Sequence, residues 1–139
     1  MLQYLLDTDH LTLFQHKHPP LMQHIAVSVA DSIAICPINI EETMRGRLAV
    51  LARLLVGQAH VRAYGHLVAA EAAFRLFPLI PFDTNCELCY QHLRASKLRI
   101  GSLDLKFAAI ALTAKLTLLT RNRSDFARVP GLMIEDWSM

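Results

Sequence analysis

The chain has 139 residues, 53% of them hydrophobic and 19% charged, with 5 Gly and 6 Pro, which fills a core and excludes a disordered or fibrous polypeptide. This length suits one domain over residues 1–139 and leaves no room for two. A formal charge of +2 is too small to make the whole surface a polyanion binder, and no uncharged apolar run reaches the ~18 residues that span a bilayer. No membrane association is therefore expected. The start has no positive leader and carries Asp7 and Asp9, and the odd set Cys36, Cys86 and Cys89 is unlike a disulfide framework. A reducing, cytoplasmic setting follows.

In chain order, residues 3–6 are a short apolar run that stops at Asp7-Thr8-Asp9, as a buried strand ending in a helix cap would. A helix is predicted over 11–15, and a second opens at Pro19-Pro20 and runs to about 29. Residues 32–37 read as a second buried strand, with Asn39 capping a helix from near 40 that carries Glu41 and Glu42 in its first turn. Leu51, Leu54, Leu55, Val61, Leu67, Val68 and Phe74 then recur at helical spacing, and Gly57 divides the stretch 48–77 into two helices.

Residues 79–82, set between Pro78 and Pro81, predict an edge strand. Asp83 or Thr84 caps a helix to about 98, and Gly101-Ser102 restarts the chain into an Ala-rich helix over 103–115 with Asp104 in its first turn. A fourth strand over 116–120, a polar loop or short helix over 122–128, and a fifth strand over 133–135 complete the pattern. Strands alternating with helices predict a parallel α/β sheet.

In such a sheet the functional crevice lies beyond the carboxyl ends of the strands, where the strand order reverses. Asp7 directly follows the first strand, Asn122 and Asp125 follow the fourth, and Glu42 and Asp104 open helices that begin on the same edge. Gathered carboxylates repel one another unless a cation neutralises them. Oxygen ligands with no nearby Cys or His select Mg²⁺ or Mn²⁺ over Zn²⁺. A hard cation of this kind activates water against a phosphodiester, and a pair of them clamps an in-line displacement.

Four segments in this order carry a resemblance: Leu5-Leu6-Asp7-Thr8-Asp9, Ile40-Glu41-Glu42-Thr43-Met44-Arg45-Gly46, Ile100-Gly101-Ser102-Leu103-Asp104 and Leu119-Thr120-Arg121-Asn122. The closing stretch from Asp125 to Trp137 belongs with them. The chain resembles the PIN-domain ribonuclease toxins of the VapC family over nearly its whole length. That resemblance implies a PIN-like three-layer α/β/α fold with a short five-stranded parallel sheet of order 3-2-1-4-5. It implies an Mg²⁺- or Mn²⁺-dependent endoribonuclease, the toxin of a type II toxin-antitoxin system, neutralised by a VapB-like antitoxin. Carried over by position, Asp7, Glu42 and Asp104 match the family's acidic metal ligands, and the fourth acidic position falls at Asn122 or is served by Asp125. Asp9 stands where many relatives have Asn. Glu42 is preferred to Glu41 because Gly46 follows it as in the family's Glu-x-x-x-Gly pattern.

Ten of the cations are Arg, whose planar fork suits phosphate. Arg45, Arg47, Arg99, Arg121 and Arg123 adjoin the acidic positions, and Arg45 and Arg121 with Ser102 form the candidate substrate-binding set. Solvated faces for the arginines, and a helix cap for Ser102, are the ordinary readings of the same residues. Cys86-x-x-Cys89 with His92 has awkward geometry for zinc, and the seven histidines are expected in surface or capping roles. Trp137 is expected to close the core. The apolar excess of 48–77 predicts a homodimer or an antitoxin-helix contact. Two other classes compete: a receiver-like phosphoacceptor module, which needs an acid after its third strand such as Asp83, and a PIN-fold interaction protein without a working site.

Overall fold

The computed structural model describes residues 1–54 and 56–139, so Leu55 of the helical pattern lies outside the described residues. Its strands are β1 (Tyr4–Leu6), β2 (Ile33–Ala34), β3 (Thr117–Leu119) and β4 (Ile134–Glu135), all parallel and in the order β2-β1-β3-β4. Tyr4 pairs with Ile33 on one side and with Thr117 on the other. Parallel pairing at the centre explains the near-continuous apolar runs, since both faces of these strands are covered.

The expected third strand, over 79–82, is reduced to a single parallel bridge between Ile35 and Leu79. Ile35 N–H donates to Pro78 O and Ile80 N–H to Ile35 O, both at 2.9 Å, and the ladder stops there. Pro78 and Pro81 have no N–H to extend it, which is why an edge position is the only one this segment can take. Counting the bridge as an edge, the order is the anticipated one; the sheet proper has four strands.

The helices are α1 (Thr8–Gln15), α2 (Pro19–Val27), α3 (Pro37–Arg53), α4 (Gln58–Phe74), α5 (Thr84–Ala95), α6 (Ser102–Ala114) and α7 (Arg123–Phe126). Side chains alternate across each strand and so feed two cores. Leu5 and Leu118 pack with Tyr90 and Leu93 of α5 and with Leu105, Phe107 and Ile110 of α6. Leu6 and Leu119 pack on the opposite face with Leu11 of α1, Leu21 of α2, Phe74 of α4 and Trp137. The result is a layer of helices on each side of the sheet. The four strand leucines are wholly buried, and each such burial contributes about 2 kcal/mol. Buried α6 positions run consecutively from Phe107 to Ala111, because the sheet and α5 enclose this helix.

The starts of α3 and α6 differ from expectation. Helix α3 begins at Pro37 with Cys36 as its N-cap, so Glu41 and Glu42 fall in its second turn. Proline is already shaped for a first turn, which moves the start upstream. Asn39 is instead a wholly buried residue of the first turn: its Oδ1 accepts Cys36 N–H at 2.8 Å and its Nδ2 donates to Leu6 O at 3.1 Å. Helix α6 is capped by Gly101, leaving Ser102 as its exposed first residue. Helices α3 and α4 are separated at Gly57, whose φ of 101° is strained for any residue with a side chain.

Candidate metal centre

The carboxyl edge of β1 and β3 collects the acidic groups. Asp7 ends β1 and caps α1, with its backbone N–H donating to Leu119 O at 3.1 Å and its Oδ1 accepting His10 N–H at 2.8 Å. The first bond fixes Asp7 to the end of the neighbouring strand. The second orients its side chain. Glu42 projects from α3, and its Oε1 accepts the Thr8 hydroxyl at 2.6 Å, joining α3 to the first turn of α1. Asn39 strengthens the same joint from below by holding the Leu6 carbonyl.

Asp104 stands in the first turn of α6, where a carboxylate suits the helix dipole. Its pKa is nevertheless raised, by burial first and then by the negative charges of Glu42, Asp125 and Asp7. Carboxylates from three other segments thus act on Asp104. Asn122 caps α7, and its Nδ2 donates to Asp125 Oδ2 at 3.0 Å and to Asp104 Oδ2 at 3.5 Å, the latter a weak bond at that length. Its Oδ1 faces Asp125 N–H and Ser124 Oγ at 3.4 and 3.3 Å. Asn122 therefore spaces two acids with its amide, work an aspartate at this position could not do. Asp125 also pairs with Arg128 Nη2, and Arg128 reaches Leu98 O, binding α7 to the chain before α6.

The arginines chosen for substrate are already paired. Arg45 lies four residues after Glu41 and bonds its Oε2 at 2.6 Å, while Arg121 grips both oxygens of Asp9 at 2.6 Å. Both pairs sit at the surface, where an ion pair holds weakly and exchanges readily. Asp9 raises the pKa of Arg121 chiefly by accepting its hydrogen bond.

The expectation of no histidine near the acids is overturned. His10 is wholly buried one helical turn after Asp7, with Nδ1 3.4 Å from Asp7 Oδ1 and Nε2 3.7 Å from Asp136 Oδ1. Asp7, Asp9 and His10 bring ligand atoms within 4.8 Å of one another. In this structure Asp9 is paired with Arg121, and the ring nitrogens of His10 face Asp7 and Asp136. Asp136 was also missed: burial pushes its pKa up, but hydrogen bonds from Ser138 and nearby positive charge outweigh that and hold it below the usual carboxylate range. The spacing Asp7-x-x-His10, from the cap of α1 to its third residue, was the available signal.

The donor chemistry of Asp7, Glu42 and Asp104, all carboxylate oxygens, suits a hard divalent ion, although among the described residues their ligand atoms do not come within 4.8 Å of one another. Burial first, and then neighbouring negative charge that a cation would relieve, raises the pKa of half-buried Asp104. Of the competing signals, Cys86 is buried in the core, and among the described residues Cys86, Cys89 and His92 do not bring three ligand atoms within 4.8 Å of one another. Trp137 closes the core, 5% exposed, between the rings of Tyr4 and His24. Asp83, the acid a receiver-like module would need, caps α5 through Cys86 N–H at 2.9 Å.

An α/β/α fold with an acidic notch at the strand ends is the architecture of the PIN domain, whose profile matches residues 4–132. The chain is 29% identical to Ribonuclease VapC2 of Rickettsia felis, covering 96% of this chain and 97% of that one. It is 26% identical to the tRNA(fMet)-specific endonuclease VapC of Salmonella typhimurium, covering 99% of each. The crystal structure of DNA-bound VapBC from Salmonella typhimurium aligns with a TM-score of 0.80 at 25% identity, covering 99% of each chain. The chain belongs to the PIN-domain family, in its VapC group of ribonuclease toxins. Among the described residues no helix is long and apolar enough to cross a membrane.

Proposed function

We propose that the endoribonuclease activity of this VapC-type toxin is carried by Asp7, Glu42 and Asp104, which hold Mg²⁺ or Mn²⁺, with Asn122 and Asp125 completing the catalytic edge. The observation that carries the reading is Asp104: burial and three other carboxylates raise its pKa, a cost the fold keeps at one edge of the sheet. When bound, the cation supplies Lewis acidity, acidifying water and screening the charge of the phosphodiester. Thr8 holds Glu42 by its hydroxyl, and the Leu119 carbonyl holds Asp7 by its backbone. Asn122 keeps Asp104 and Asp125 apart through its amide. Arg45 and Arg121, released from Glu41 and Asp9, meet the RNA backbone, and exposed Ser102 lies beside Asp104 at the start of α6. Guanidinium binds phosphate in the same two-point manner in which Arg121 now binds Asp9.

The same reading has residues 1–139 acting as one PIN-like domain in the cytoplasm, restrained by a VapB-like antitoxin and assembled as a homodimer. Support for a partner comes from the solved VapBC complexes that share this fold. Support for pairing comes from α4, which exposes Val61, Tyr64 and Val68 on one side. The test is cleavage of total cellular RNA, with the new ends mapped; the Salmonella relative makes initiator tRNA the first substrate to inspect. Asp7→Asn and Asp104→Asn should each fold and lose Mg²⁺-dependent cleavage. Full activity in the double variant refutes the assignment.

A further inference from the structure

The imidazole of His10 is wholly buried beside Asp7, and the function proposed above gives it no work. Its two nitrogens meet opposite demands. Nε2 accepts the backbone N–H of Trp137 at 3.2 Å, and that N–H is fixed because the Trp137 ring packs against Tyr4 and His24 at 4.7 and 5.1 Å. Two N–H groups cannot point at each other, so the Nε2 lone pair is free and the ring proton sits on Nδ1. Nδ1 is a wholly buried polar atom with no hydrogen-bond partner among the described residues. The group it faces is Asp7 Oδ1, 3.4 Å away. Asp7 Oδ1 already accepts the backbone N–H of the same residue at 2.8 Å.

We propose that His10 is a positioning residue: its backbone N–H holds Asp7 Oδ1, and its unpartnered ring N–H, 3.4 Å from the same oxygen, is placed to join it, leaving Oδ2 as the oxygen offered to the metal. The proposal rests on the reading of Asp7 as a metal ligand. A ligating carboxylate whose second oxygen is held by neighbouring donors is a common device, and loss of such a donor weakens metal binding about 10–100-fold. Here the donor is itself set by the backbone of the C-terminal segment. Contact with Trp137 selects the tautomer, and the tautomer directs a donor at Asp7.

Two measurements test this. NMR of the nitrogen-labelled, metal-free chain should show His10 protonated at Nδ1 and bare at Nε2; a ring protonated at Nε2, alone or together with Nδ1, overturns the proposal. Calorimetric titration with Mn²⁺ alone, in the absence of RNA, then separates the two sides of the ring. His10→Asn places an amide N–H near the position of Nδ1 and should bind Mn²⁺ within a few-fold of the parent. His10→Gln reaches only the Nε2 side and should bind about tenfold more weakly or worse. Parental affinity in His10→Gln, or an equal loss in His10→Asn, overturns the proposal. Should His10→Gln fail to melt cooperatively, the tautomer in the parent chain decides. Asp7→Asn is the control: if it keeps parental Mn²⁺ affinity, the ligand role of Asp7 falls instead.

Discussion

Replacing Asn39 with Ala tests the joint between β1 and α3. The side chain satisfies two groups in a wholly buried setting, Cys36 N–H at 2.8 Å and Leu6 O at 3.1 Å. Removing it orphans a donor and an acceptor, each costing about 1–3 kcal/mol when buried and unpaired. Local relaxation recovers part of this, so the expected loss is about 3 kcal/mol. In urea unfolding, that loss should lower the midpoint without changing the slope. At about 3–4 °C per kcal/mol for a domain of this length, the melting temperature should fall by roughly 10 °C. Asn39→Asp keeps the acceptor for Cys36 but turns a carboxylate oxygen toward the Leu6 carbonyl, and should do no better. RNA cleavage by folded Asn39→Ala should also drop, because Leu6 and Glu42 lose their common anchor. A stability loss under 1 kcal/mol would refute the argument that Asn39 ties the strand to the helix.

Asp104→Asn should stabilise the metal-free protein at neutral pH. The folded pKa of Asp104 lies above its ordinary value of 3.8, so the native state binds the proton more tightly and loses stability as pH rises through that window. The advantage of the variant, measured by thermal melts in chelator, should fade on acidification below about 4; an unchanged advantage there contradicts the linkage. Arg121→Ala should cost under about 1 kcal/mol, since its pair with Asp9 is at the surface, yet weaken RNA binding in a fluorescence titration; unaltered RNA affinity removes Arg121 from the substrate set. Val68→Asp on exposed α4 should shift the chain toward monomer in light scattering while leaving the melting temperature nearly unchanged, and an unaltered mass would exclude this face from a dimer.

The first strand was legible because its apolar run ends abruptly at Asp7. Gly57 and Asp83 behaved as their local chemistry dictates, one as a break and one as a cap. The 79–82 segment was over-read: an apolar tetrapeptide looks like a strand, yet prolines on its borders leave it one bridge. Asn39 was read by its capping preference, but Pro37 had already moved the helix start and freed the amide for a distant carbonyl. His10 was missed for a different reason. Its spacing from Asp7 was visible, but the groups that bury its ring, Trp137 and Asp136, lie far along the chain where no local pattern registers them. The pairing of Arg121 with Asp9 escaped notice likewise, because strand β3 alone brings them together.

The central place of β1 bears on when a newly made chain becomes dangerous. Tyr4 needs Thr117 as its lateral neighbour, and Asp7 needs the carbonyl of Leu119, so a ribosome that has released α1 and α3 still holds back the strand that seats them. At ordinary elongation rates that interval lasts on the order of ten seconds. Throughout it Asp7 and Glu42 hang on an incomplete scaffold, without the strand whose Leu119 carbonyl fixes Asp7.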